Sequence, residues 1–508
     1  MSLAQVRCRT TVGVDSHAVD VETHIGNGLP AFHIVGLPAA AVRESRERVR
    51  AALLHAGFEF PNRRITVNLT PADLPKDSGG FDLPIAIGVL VASGQLTGPD
   101  GRKPPDLDAT ELVGELSLTG KLRPVKGLLA IALGLMRDAP VRELIIPAAD
   151  AAQAAVVPGL RAVAAGHLTT VCAHLDGSEP LAAIEPEPPA PADERTNGAD
   201  FADVRGQAIA RRALEIAAAG RHSLLMSGPP GAGKSMLATR LPSILPPATG
   251  ADALESAAIL ALTGRFRPDA IAARPFRAPH HSASTAALIG GGNPPRPGEA
   301  SLAHHGVLFL DELPEFSRAA LEALREPLET GAVVVSRAAR QVTFPAAFRL
   351  VAAMNPCPCG HLGTPDCRCS ADQVQRYQRR VSGPLLDRID LRITLARVDE
   401  QVLLGARPAE SSSAIAQRVA TATERQLARQ GCPNALLDVA GVDRWCRPDA
   451  DGHELLMRAA AGLRLSARAL HRVQKVARTI ADLAAREDLQ AQDVREALGY
   501  RQGPNVVS

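Results

Sequence analysis

Aromatic residues are scarce: Phe, Trp and Tyr make up 3% of 508 positions, with one Trp and two Tyr. So few rings leave little material for a platform of stacked bases, so any nucleic-acid binding must rest on charge and backbone groups. Lysine supplies only six of the 56 basic residues. The formal net charge is +2, from 56 basic against 54 acidic residues; this excludes a strongly cationic module but leaves room for a local basic channel. No apolar run of about 18 residues occurs, which excludes a membrane-spanning helix. The opening MSLAQVRCRTTVGVD lacks the apolar core of a secretory signal, so the expected compartment is the cytoplasm. Disorder is excluded too, because 46% of the residues are hydrophobic.

A chain of this length implies two to four domains. The clearest break is 176–200, DGSEPLAAIEPEPPAPADERTNGAD, with five Pro and seven Asp or Glu. It reads as an acidic, Pro-rich linker. Residues 1–175 read as an α/β domain: a strand and turn at 63–74, a buried helix at 81–96, and a hairpin at 111–125 built around Thr119–Gly120. Beyond the linker, HSLLMSG (222–228), GVLFLDEL (306–313) and FRLVAAMNP (348–356) are short apolar runs alternating with helices, the pattern of a parallel sheet covered on both faces. From about 400 the pattern is helical; in 465–484, Leu465, Ala469, Val473, Val476 and Ile480 form one apolar stripe. The expected domains are thus 1–175, a linker at 176–200, 201–400 and 401–508.

Residues Gly228, Pro229, Pro230, Gly231, Ala232, Gly233, Lys234 and Ser235 match the P-loop pattern in full. Backbone N–H groups of such a loop cradle phosphate, and the following helix adds a favourable dipole. Lys234 is expected to reach the β- and γ-phosphates of ATP, and Ser235 to ligate Mg²⁺. Downstream, the apolar strand Val307–Leu310 ends in Asp311 and Glu312. Asp311 would complete the Mg²⁺ shell and Glu312 would polarise the attacking water. Asn355, at the end of the next apolar strand, is placed to touch the γ-phosphate or that water, or else is a turn Asn before Pro356. Cys357, Cys359, Cys367 and Cys369 form two C-x-C pairs seven residues apart. Four thiolates on one short loop can close around Zn²⁺, with His361 as an alternative ligand; the other reading is reduced thiols on an exposed loop. His280, His281, His304 and His305 look like a metal set, but two sequential pairs favour polar packing.

FRAPHHSASTAALIGGG (276–292), PGEASLAHHGVLFLDELPEF (297–316), AAMNPCPCG (352–360), SGPLLDRIDL (382–391) and LSARALHRVQKVARTIADL (465–483) resemble the YifB/ComM family of magnesium-chelatase-like AAA+ ATPases, and the likeness covers nearly the whole chain. The resemblance implies an α/β fold in which an AAA+ P-loop motor with a helical C-terminal lid follows a Lon-protease-like α/β domain. It implies that Asn355 is the sensor-1 residue, that Arg388 is an arginine finger offered to a neighbouring subunit's nucleotide, and that Arg468 is the sensor-2 arginine of the lid. Read without the family, Arg388 would pair with Asp387 or Asp390, and Arg468 would lie on a solvated face. The segment 331–345 reads as a hairpin, with strands at Val333–Val335 and Val342–Phe344 and its tip at 336–340. In the family's branch such a hairpin projects into a ring pore, which makes Arg337 and Arg340 candidate DNA-phosphate contacts. Ile289–Gly292 with Arg296 fits the family's insertion. Single-stranded, forked or branched DNA and a homo-hexamer are the implied partners. The implied work is helicase or branch migration on recombination intermediates in natural transformation, the alternative being a chelatase-type or protein-remodelling ATPase. A Lon-type protease is disfavoured: aligned on Pro75-Lys76-Asp77 and Leu122–Leu128, Gly80 and Leu129 stand where Lon carries its Ser and Lys, although Ser78 and Lys126 lie nearby.

Overall fold

In the computed structural model the first unit is built on a long antiparallel pair, β1 (Leu3–Val12) and β2 (Asp15–Gly26), whose register runs unbroken from Leu3↔His24 to Val12↔Asp15. Alternation explains the pairing: Ala4, Val6 and Cys8 of β1 face Val19, Val21 and Ile25 of β2 in one core. With β3 (Ala31–Val35), β4 (Arg64–Thr70), β5 (Thr110–Leu112), β6 (Glu143–Pro147) and β7 (Arg161–Ala165) they form a seven-stranded sheet, ordered β3-β4-β2-β1-β5-β6-β7. The helix Asp82–Ala92 is buried along its whole length; past Asp82, whose carboxylate pairs with Arg48 at 2.7 Å, it is apolar throughout, as such a helix must be. The small hairpin expected at Thr119–Gly120 pairs Glu115–Leu116 with Leu122–Arg123. Glu111 and Leu112, the start of that reading, belong instead to β5 of the main sheet.

The structure describes residues 3–37, 39–76, 79–101, 103–186, 199–337, 340–398, 409–463 and 465–501. The chain divides into Met1–Ala190 with Ala257–Ile271, and Pro191–Ser256 with Ala272–Ser508. Of the Pro-rich stretch 176–200, residues 187–198 lie outside the described residues; before them, Ile184 donates its N–H to Ala162 O at 2.8 Å, on the edge strand β7.

The second unit carries a five-stranded, wholly parallel sheet. Its strands are β8 (Leu224–Ser227), β9 (Phe276–Arg277), β10 (Val307–Leu310), β13 (Arg349–Met354) and β14 (Leu391–Thr394), in the order β9-β10-β13-β8-β14. Strands β8, β10 and β13 are buried at every position, which is why they read as unbroken apolar runs. Between β10 and β13 the chain makes the hairpin β11 (Ala332–Arg337) and β12 (Arg340–Pro345). Its strands are longer than the sequence reading, and Val333, Val335, Val342 and Phe344 are buried. Ala338 and Ala339, and the side chains of Arg337 and Arg340, lie outside the described residues. The Gly-rich segment forms a two-residue ribbon, Gly290–Gly291 against Arg296–Pro297.

The C-terminal part is helical, with α1 (Ser412–Gln430), α2 (Ala467–Leu483) and α3 (Ala491–Gly499). On α2 the expected stripe is buried at Ala469, Val473, Val476 and Ile480. Arg478, on the same helix, is buried, and its guanidinium reaches Asp482 at 3.1 Å and the carbonyl oxygens of Arg486 and Glu487, each at 2.6 Å. Among the described residues no helix is long and apolar enough to cross a membrane.

Candidate active site

Parallel strands deliver the ends of their runs to one edge, and the register of this sheet brings the sequence-predicted residues together there. Ser227 pairs with Met354, so the next residues, Gly228 and Asn355, stand side by side. The phosphate loop needs glycine for stated reasons. A Cβ on Gly228 would lie 2.8 Å from the Leu395 carbonyl oxygen, and Gly231 and Gly233 have φ of +79° and +86°. Lys234 opens the next helix. Its ammonium donates to Gly228 O at 2.7 Å, Pro229 O at 3.0 Å and Asn355 Oδ1 at 3.0 Å. Burial lowers the Lys234 pKa, partly countered by Asp311 and Glu312. The Ser235 hydroxyl donates to Asp311 Oδ2. The two residues expected to share Mg²⁺ therefore touch, and hydroxyl plus carboxylate is a donor set suited to that hard ion.

Glu312 has a φ of +53°, left-handed backbone that a non-glycine residue adopts at a cost of about 1 kcal/mol. Its N–H donates to Asp311 Oδ1 at 2.9 Å, and its Oε2 lies 3.1 Å from His281 Nδ1. The sequence reading had left His281 to polar packing. Its signal was the sheet order: Arg277 pairs with Leu308, and beyond the ends of the two neighbouring strands the chain brings His281 against Glu312.

Arg388 and Arg468 do not join this edge. Ser223, the residue before β8, donates its hydroxyl to Arg388 O at 3.1 Å; at about 3.3 Å per residue this point lies roughly 16 Å from Gly228. There the two arginines meet on one carboxylate, with Arg388 Nη2 2.8 Å from Glu329 Oε2 and Arg468 Nη1 3.3 Å from Glu329 Oε1. Burial raises the Glu329 pKa, but the guanidiniums outweigh it and the net shift is downward. Neither expected alternative holds for Arg388: Asp390 binds Arg472 at 2.6 Å and Asp387 lies 3.9 Å from Arg392. Arg325, Glu329, Arg388, Arg468 and Arg472 line one cavity of about 280 Å³. Sequence reasoning missed Glu329 and Arg472. The latter had a signal, because it stands four residues after Arg468 on the same helix face.

The four cysteines converge. Their sulfurs all lie within 4.8 Å of one another, with Cys357–Cys359 at 3.4 Å, Cys359–Cys367 at 3.7 Å and Cys357–Cys367 at 3.9 Å. A tetrahedron of Zn–S bonds of about 2.3 Å has edges of about 3.8 Å, so the donor set fits zinc. Backbone N–H groups of His361 and Arg368 hold the Cys359 thiol down to about 6.

The second cluster, Glu255, His304 and His305, does not fit a metal. The Ala347 N–H donates to His304 Nδ1 at 3.0 Å and Arg221 Nη2 donates to His305 Nδ1 at 3.1 Å. Both Nδ1 atoms are therefore acceptors, and both Nε2–H groups donate to Glu255 Oε2, at 3.2 and 3.0 Å. Ligation through Nε2 would leave neither ring a proton. Burial pushes the His304 pKa down to about 4 and also lowers that of His305.

In the first unit, Gly80 and Leu129 are buried where a Lon-type dyad would stand, and Lys126 is exposed. Ser78 lies outside the described residues. Lys76, fully buried, donates to the Pro71 carbonyl oxygen.

Three family models match the chain. The family model "Magnesium chelatase, subunit ChlI" matches residues 200–403, "Subunit ChlI of Mg-chelatase" matches 21–150, and "Magnesium chelatase, subunit ChlI C-terminal" matches 409–501. The chain is 46% identical to YifB of Salmonella typhimurium, over 99% of this chain and 97% of the relative. It is 46% identical to the competence protein ComM of Haemophilus influenzae, over 99% and 98%. An uncharacterized protein of Mycobacterium tuberculosis is 42% identical, over 99% of both chains.

Proposed function

We propose an ATP-driven, ring-forming DNA motor, and the premise is plain: the chain belongs to the YifB/ComM family of magnesium-chelatase-like AAA+ ATPases. The motor would act as a helicase or branch-migration enzyme on forked or branched DNA. The name of the Haemophilus relative, a competence protein, points to recombination intermediates of natural transformation as its setting.

The observation that carries the reading is the split of the nucleotide residues between the two ends of β8. Lys234, Ser235, Asp311, Glu312 and Asn355 gather at the carboxyl end, while Arg388 and Arg468 gather on Glu329 at the other. One chain thus carries two half-sites, and a head-to-tail ring joins each to its complement. In the joined site the phosphate loop and Lys234 would bind the triphosphate. Ser235 and Asp311 would hold Mg²⁺, which when bound would neutralise charge on the triphosphate. Glu312 would accept a proton from the attacking water, Asn355 would orient that water, and the neighbour's Arg388 and Arg468 would stabilise charge on the transferring phosphoryl group. The cofactors proposed are ATP with Mg²⁺ and a structural Zn²⁺ on the four cysteines.

ATPase measured with and without forked DNA tests the reading. The expected result is Mg²⁺-dependent turnover that rises with DNA. Turnover indifferent to DNA but raised by a partner protein would favour the chelatase-type or protein-remodelling alternative. The Glu312→Gln variant should bind nucleotide and lose turnover.

A further inference from the structure

We propose that Zn²⁺ on Cys357, Cys359, Cys367 and Cys369 is the strut that shapes the phosphate loop, so that nucleotide affinity depends on the metal. This rests on the ATP reading of that loop. The cysteine loop touches the nucleotide machinery at two points. Gly360, between two of the ligands, has a φ of +83°, and a Cβ there would lie 2.4 Å from Pro230 Cδ and 2.7 Å from Pro230 Cγ. The backbone of the thiol loop is thus seated against the ring of a phosphate-loop proline, with no room for a methyl group. The turn that presents Gly360 is made by its own N–H donating to Cys357 O at 3.0 Å. Two residues before Cys357, Asn355 accepts from Lys234 at 3.0 Å. The Gln378 amide fastens the join between them by donating to Pro356 O at 3.1 Å.

From Pro356 to Cys369 the chain has neither helix nor strand, and its shape is held by turns and by whatever joins the sulfurs. Zn²⁺ binding would release the thiol protons to solvent and fix the four sulfurs at the spacing they already show. Both contacts on the phosphate loop would then be fixed with them. Without metal, the thiols of Cys357, Cys359 and Cys367, at 3.4–3.9 Å from one another, make only weak sulfur contacts. Gly360 and Asn355 would drift from Pro230 and Lys234, and misplacement by about 1 Å at such a site costs up to about a hundredfold.

The test uses full-length protein purified without added metal. Elemental analysis reports the metal, and a fluorescent ADP analogue in saturating Mg²⁺ reports nucleotide affinity. Affinity is read before and after treatment with a zinc-selective chelator that spares Mg²⁺, and again after Zn²⁺ is returned. The proposal expects about one zinc per chain, an affinity loss of about tenfold or more on its removal, and recovery with Zn²⁺. Gly360→Ala separates the strut from general stability: it should keep its zinc and still lose affinity. Cys359→Ser with Cys367→Ser should lose both; should that variant be insoluble, chelation of the folded wild type gives the same measurement. Absence of zinc, or iron in its place, overturns the metal assignment. Zinc whose removal leaves affinity unchanged, or Gly360→Ala with normal affinity, overturns the strut. Zinc-loaded protein that binds no nucleotide would sink the ATP reading and the strut with it, while the zinc count would stand.

Discussion

The division of the nucleotide residues along β8 can be tested by mixing two inactive variants. Lys234→Ala removes the ammonium at the phosphate loop and leaves Arg388 and Arg468 intact on Glu329; Arg388→Ala does the reverse. The two positions lie beyond opposite ends of β8, about 16 Å apart along Ser223 to Gly228, more than twice the reach of an arginine side chain. A chain acting alone therefore cannot assemble both halves. By itself Arg388→Ala should lose a factor of roughly 10³–10⁵ in turnover, the range for a missing arginine finger, and Lys234→Ala should lose nucleotide binding. In an equimolar mixture that exchanges freely, a site is complete when an Arg388→Ala subunit holds the nucleotide and a Lys234→Ala subunit stands on its finger side. That pairing occurs at about a quarter of the interfaces of a head-to-tail ring. Steady-state ATPase of the mixture should therefore rise from near zero toward about a quarter of the wild-type rate. It should fall again when either variant is in large excess. A mixture no more active than its components, in the presence of demonstrated subunit exchange, would refute the shared site. Full activity of Arg388→Ala alone would refute the finger.

His281→Ala should lower kcat about tenfold and leave the KM for ATP in place, because the ring orients Glu312 rather than the nucleotide; an unchanged kcat would remove His281 from the site. The His304 pKa of about 4 lies below the value near 6.5 of an unfolded histidine. The folded state thus resists protonation, and its stability is intact above about pH 6.5 and falls as the pH drops toward 4, by up to about 3 kcal/mol. His304→Asn keeps an acceptor for the Ala347 N–H and should flatten the melting temperature between pH 7 and pH 5; a wild type with no such slope would contradict the burial argument. Replacing Arg337 and Arg340 together by Ala should reduce the salt slope of DNA binding by about two if each meets one phosphate. Basal ATPase should survive; an unchanged slope would send the DNA path elsewhere.

What was legible in the sequence was whatever depends on near neighbours in the chain. The phosphate loop, the strand ending in Asp311 and Glu312, and the stripe on α2 all carry their own periodicity or spacing. The thiol cluster was legible for the same reason, since two C-x-C pairs on a short loop have little choice but to meet. Residues made adjacent only by strand order were not. His281 stands beside Glu312 because β9 lies next to β10 in register, and no local pattern near His281 announces a carboxylate 31 positions away. Glu329 was hidden differently: it sits on a single helical turn, Pro327–Thr330, too short to show a face.

Glu329 also bears on how the motor would be coupled. It lies three residues before β11, separated from it by Thr330 and Gly331, the latter at φ +70°. The carboxylate that gathers Arg388 and Arg468 is therefore at the root of the hairpin proposed to meet DNA. A load on that hairpin has a short covalent path to Glu329, and through its two ion pairs to the arginines a neighbour's nucleotide would use. The other strand of the hairpin leads through Ala346–Phe348 into β13, and Asn355 is the residue that follows it. The same hairpin is thus tied at one foot to the half-site that would serve a neighbour and at the other to the half-site that would hold the chain's own nucleotide. Were the DNA-facing element elsewhere in the chain, Glu329→Gln would disturb ATPase equally with and without DNA. With the hairpin as that element, it should chiefly change the ratio of the two rates.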